Sequence, residues 1–105
     1  MAEPTNVPEK CKSALAAYYG ARFAGLLLYG SMARDQAAPD SDIDMLVLLS
    51  APFDYFRELR AIVELLYPIQ LESDRLISVK PASPSDLEQG RLQLYRNAKR
   101  EGVFV

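Results

Sequence analysis

Two short apolar runs, FAGLLLYG at 23–30 and DIDMLVLLS at 42–50, constrain this chain more than any other feature. Both read as short, apolar, buried strands. The segments around them carry the other period. VPEKCKSALAAYYG reads as a helix with Val7, Cys11, Ala14, Leu15 and Tyr18 on one face, Pro8 in the first turn and Gly20 at the exit. PFDYFRELRAIVELLY reads as a second helix with Phe56, Leu59, Val63 and Leu66 turned inward, and Pro68 is expected to end or kink it. Arg57 and Arg60 with Glu58 and Glu64 read as its solvated face. RLISVKP is a shorter, more polar third strand, expected near a sheet edge. SPSDLEQGRLQLYRNAKREG reads as one last helix, opened by a capping box of Ser83 and Asp86 around Pro84 and closed at Gly102. Arg96, Lys99 and Arg100 fall in its last turns, where cations suit the helix dipole.

The order α-β-β-α-β-α predicts an α+β fold, a small three- to four-stranded mixed sheet flanked by helices. With 105 residues, half of them hydrophobic, the expectation is one soluble domain over 1–105 with one core.

Charge and composition exclude several function classes. A formal net charge of −2 argues against a sequence-independent grip on nucleic acid, which needs a basic face. No apolar run approaches the ~20 residues needed to cross a bilayer, and MAEPTNVPEK lacks the apolar core of a signal peptide. The single cysteine, Cys11, cannot close an internal disulfide, so a reducing cytoplasm is the simplest home, with Cys11 buried and inert on its helix. Histidine is absent, which excludes Ser-His-Asp and Cys-His catalysis and most zinc sites. A metal in this chain must be held by oxygen, which favours magnesium, manganese or calcium.

The second strand opens on Asp42 and Asp44, one residue apart. Strand side chains alternate, so the two carboxylates share a face while Ile43, Met45, Val47 and Leu49 turn to the other, into the core. At ~3.3 Å per residue the two positions stand about 6–7 Å apart, and like charges so placed repel unless a cation lies between them. Upstream, Gly30 ends the first strand with a residue able to turn tightly, and Ser31 offers an N–H and a hydroxyl where the chain enters a turn. Arg34, three residues on, has the reach to close on a phosphate oxygen. Phosphate donors and metal ligands thus fall at the same end of neighbouring strands.

Gly30-Ser31, ten intervening residues and Asp42-Ile43-Asp44 resemble the signature of the minimal nucleotidyltransferase family, within the DNA polymerase-β-like superfamily. SDIDMLVLLS is similar to that family's second strand, and LYRNAKREGVFV to its C-terminal helix and exit. The resemblance implies transfer of AMP from ATP to an acceptor hydroxyl with magnesium (or manganese). It places Asp42 and Asp44 on the metal and Gly30 and Ser31 on the triphosphate; Arg34 is assigned to phosphate from its position. One departure stands out. Fully active superfamily members usually carry a third carboxylate on a later strand; RLISVKPAS has none within it, a reduced strand that many members of the minimal family share and that does not exclude activity. Ser78 fills that place, unless the strand starts early enough for Glu72 or Asp74 to substitute.

A sheet with half a cleft implies a partner, either another copy or a separate protein. Minimal nucleotidyltransferases are paired with helical HEPN toxins, ribonucleases that the antitoxin silences by adenylylating a tyrosine. Two alternatives stay open: a catalytically silent antitoxin that masks its partner by contact, and a transferase of a small hydroxylated molecule.

Overall fold

The computed structural model describes residues 7–30 and 41–105. It is a four-stranded mixed sheet in the order β3-β2-β1-β4, flanked by helices on both faces. In chain order the elements are α1 (Val7–Tyr19), a single 3-10 turn (Gly20–Arg22), β1 (Phe23–Tyr29), β2 (Ile43–Leu49), α2 (Tyr55–Glu72), β3 (Ile77–Ala82), α3 (Pro84–Gln89), α4 (Gln93–Glu101) and β4 (Val103–Phe104). β1 pairs antiparallel with β2 and with β4, and β2 pairs parallel with β3. The third strand therefore lies at an edge, as its polarity predicts. Among the described residues no helix is long and apolar enough to cross a membrane.

β2 is the centre of the molecule. Ile43, Met45, Val47 and Leu49 point to the α1/α2 side, where they meet Cys11, Leu15, Ile62 and Leu66. Leu46 and Leu48 point to the other side, against Leu27, Ala82 and Ala98. A β-bulge at Ala24 keeps both ends of β1 in step with this pattern, so Phe23 and Leu26 join the first cluster and Leu27 and Tyr29 the second. Cys11 is fully buried, and burial pushes its thiol up to about 11, well away from the thiolate range.

Two expected helix faces change. On α1 the buried aromatic is Tyr19, while Tyr18 is exposed. On α2 the inward residues are Glu58, Ile62 and Leu66, with Leu59 half-buried, while Phe56 and Val63 face solvent. Apolar residues occur all around this helix, so spacing alone cannot decide which stripe packs. A long-range polar contact does. Glu58, expected on the solvated face, is buried; its carboxylate accepts a 2.8 Å hydrogen bond from the Tyr19 hydroxyl and a 3.4 Å contact from Arg22. The Arg22 guanidinium also lies over the Tyr19 ring at 5.4 Å. A buried carboxylate is tolerable because it is paired in this way.

Pro68 does not end α2, which runs on to Glu72. Pro68 and Glu64 are both exposed, so the carbonyl that loses its N–H partner is on the solvent side. The last helix is two. Ser83 and Asp86 form the expected capping box for α3, but Gly90 adopts φ 61°, a left-handed cap that stops it. Arg96 donates to the Gly90 carbonyl at 2.7 Å and Lys99 pairs with Glu88 at 2.6 Å, so the basic residues of α4 hold it against α3. Gly102 follows α4 with no room for a side chain: a Cβ there would meet the Ala98 carbonyl oxygen and Leu27.

Candidate active site

The carboxylate pair stands where the second face of β2 runs out of cover. Leu48 and Leu46 are buried, Asp44 is half-buried, and Asp42, just ahead of the strand, is exposed. The entry to β2 is held from outside the sequence neighbourhood. Arg75 donates from its guanidinium to the Ser41 carbonyl at 3.0 Å, and the Ile43 N–H donates to the Leu76 carbonyl at 2.8 Å. The turn that positions Arg75 is itself pinned by Gln70. That side chain donates to the Arg75 carbonyl and accepts from the Ile77 N–H at 2.7 Å. Neither Arg75 nor Gln70 carries any local motif that would have singled it out.

Gly30 meets Asp44 directly. The residue adopts φ 78°, in the region that favours glycine, and a Cβ placed on it would stand 2.7 Å from Asp44 Oδ2. The end of β1 is thus shaped around the carboxylate. Two independent constraints, backbone angle and clearance, converge on glycine here. Ser31 and Arg34, the other two residues assigned to phosphate, lie outside the described residues.

Register completes the floor of the site. Tyr29 pairs with Asp44 on one side and Ser78 pairs with it on the other. β3 begins at Ile77, after both Glu72 and Asp74. Glu72 ends α2 with an ion pair to Lys10 at 3.4 Å, and Asp74 is exposed in the turn. Ser78 therefore occupies the strand position beside Asp44, and neither upstream acid lies on β3. Among the described residues no cluster of three or more His, Cys, Asp or Glu side chains forms.

The electrostatics match the geometry. Burial raises the pKa of Asp44 above its usual value, the Asp42 charge raises it further, and the Lys80 charge pulls the other way. Burial, with the charges of Asp44 and Tyr55, pushes the Tyr29 phenol up to about 12, so Tyr29 is a neutral wall rather than an acid. An ionised Asp42/Asp44 pair is thus a concentration of negative charge that Lys80 offsets only in part, and its donors are all oxygen. That donor set fits magnesium, which is commonly held by one or two carboxylates together with substrate phosphates rather than by an all-protein cage.

A mixed sheet whose middle strand offers a carboxylate pair beside a glycine turn defines a class of nucleotide-handling domain. The nucleotidyltransferase domain family matches residues 9–104, and the chain belongs to that family. Among solved structures it is similar to a chain of the crystal structure of a toxin-antitoxin with AMP-PNP, at TM-score 0.58 and 20% identity over 91% of this chain and 70% of that one. That likeness is one of fold. No curated protein matches the chain.

Proposed function

We propose that this nucleotidyltransferase domain transfers AMP from ATP to a tyrosine hydroxyl of a helical, HEPN-type toxin and so acts as its antitoxin. The observation that carries the reading is the closeness of Gly30 to Asp44, where a Cβ on Gly30 would stand 2.7 Å from Asp44 Oδ2; it supports a phosphate-binding turn beside a metal-binding pair. Asp42 and Asp44 would hold magnesium. When bound, the ion would supply positive charge for the reacting phosphate and the departing pyrophosphate. The acceptor oxygen forms a bond to the α-phosphorus, and the bond from that phosphorus to the β-phosphate oxygen breaks. The electron pair leaves with pyrophosphate and the phenolic proton passes to solvent. The chain's own part is to orient the phosphates over β2, with Gly30 giving the backbone clearance and Tyr29 closing one side without competing for protons.

A protein acceptor is favoured by the surface. Phe56, Val63, Tyr67 and Leu71 along α2, and Leu76 beside β3, are large, apolar and more than half exposed, as in a surface that a partner covers. The structural neighbour is a toxin-antitoxin with AMP-PNP, which makes a toxin and an adenosine triphosphate the first pair to test. The decisive experiment incubates the cognate toxin with this chain, ATP and magnesium and weighs the toxin intact. A gain of one or more AMP units is expected, absent with the Asp42→Asn/Asp44→Asn variant.

One observation favours a second reading. Ser78 pairs with Asp44 on the strand where the wider superfamily's third carboxylate would help to activate the acceptor. A toxin bound and silenced without any gain in mass would make this chain an antitoxin by contact and remove the catalytic assignment.

A further inference from the structure

Lys80 has no part in the reading above, yet it stands on the site. It pairs in register with Leu46, two places along β3 from the Asp44–Ser78 pair. Residues two apart on a strand share a face, so Lys80 projects on the same side of the sheet as Asp44 and Ser78. It is half-buried, and no hydrogen bond or ion pair ties its ammonium to another described residue. A lysine on an edge strand often guards the edge, but this one leaves from the face, and the edge is already blunted by Pro81. Its flexible stem carries a compact ammonium with three donors, a point charge suited to phosphate oxygen.

The position also selects which phosphate. β2 lies between β1 and β3, so the Gly30 turn and Lys80 flank Asp44 from opposite sides. A triphosphate whose outer phosphates rest at the Gly30 turn crosses Asp44 with its α-phosphate leading toward β3. We propose that Lys80 binds the α-phosphate of the nucleotide from the β3 side, on the strand where Ser78 stands in place of a third carboxylate. This rests on the nucleotidyltransferase reading. The consequence is an exchange of roles on β3: the strand draws charge from the phosphate under attack instead of taking a proton from the acceptor.

The test is calorimetry in magnesium with ATP, AMP and pyrophosphate as separate titrants, on the wild-type chain, Lys80→Met and Lys80→Arg. Lys80→Met keeps the stem and removes the charge. It is expected to weaken ATP and AMP by about tenfold or more, the scale of one charge-assisted hydrogen bond, and to leave pyrophosphate unchanged. Lys80→Arg should recover most of the loss. Unchanged AMP affinity in Lys80→Met, or a loss for pyrophosphate equal to that for AMP, overturns the assignment. A wild-type chain that binds none of the three overturns the nucleotide reading and this proposal with it. Wild-type binding beside an indifferent Lys80→Met removes Lys80 alone.

Discussion

The two faces of β2 are built to different standards. Toward α1 and α2, Ile43, Met45, Val47 and Leu49 are covered along the whole strand. Toward α3 and α4, cover reaches Leu48 and Leu46 and then stops, and the same face ends in Asp44, with the exposed Asp42 just ahead of the strand. Helix length explains the difference. α1 and α2 have 13 and 18 residues, whereas α3 and α4 have 6 and 9. At ~1.5 Å per residue the longest helix on the second face reaches about 14 Å, against about 23 Å for the seven-residue strand. One face therefore secures the fold, and the other can carry like charges at its uncovered end.

The largest expected effect breaks the first face. Met45 is fully buried among α1 and α2, and Met45→Ala should cost about 2–5 kcal/mol by chemical denaturation. A loss under about 1 kcal/mol would mean that this face collapses around the cavity and is not the rigid one. Gly30→Ala comes next. It forces a side chain into φ 78° and presses a Cβ on Asp44 Oδ2, for about 1–2 kcal/mol of stability and a displaced carboxylate. Nucleotide affinity, read by calorimetry, should fall with it. The sharper measurement is the Gly30→Ala/Asp44→Ala double variant, in which the clash is gone and only the backbone strain remains. Strict additivity of the two single changes in stability would deny that the residues touch.

The smallest effect has the opposite sign. Asp44 has a raised pKa in the folded chain, so folding favours its protonated form. The stability this gives is fully present below the ordinary value of 3.8 and is lost as pH rises through the raised folded value. In metal-free protein at neutral pH, Asp44→Asn should therefore melt slightly above wild type. The gain should shrink away as pH is lowered through the carboxylate range. It is small because Asp44 is partly solvated. A drop in melting temperature at neutral pH would show that the ionised carboxylate is held by contacts stronger than its repulsion from Asp42. Adjacent residues, Met45 and Asp44, would then respond alike, and the contrast between the faces would fail.

Much of this contrast is legible in the sequence. The alternation from Asp42 to Leu49 already separates carboxylates from core residues, because the strand period of two is a local property. The same holds for the positions of β1 and β2, the Ser83–Asp86 box and the edge placement of the polar third strand. The nucleotidyltransferase assignment was legible in Gly30-Ser31 and Asp42-Ile43-Asp44, and the family match over residues 9–104 agrees. Less legible were the faces of α1 and α2, where Tyr18 and Val63 are as apolar as the Tyr19 and Ile62 that pack. The expected single last helix is divided at Gly90, whose left-handed angle caps α3.

What the sequence by itself determined is what near neighbours dictate: element order, caps, strand periods, and a carboxylate pair facing away from apolar partners. Tertiary structure alone decided which residues from distant segments meet. Glu58 finds Tyr19 and Arg22, Arg75 holds Ser41, Gly30 makes room for Asp44, and parallel pairing brings Ser78 and Lys80 beside the site. The physical reason is range. Backbone hydrogen bonding repeats over a few residues and leaves its period in the sequence. Register between strands is set by burying two faces of one sheet at once, a condition that involves the whole chain.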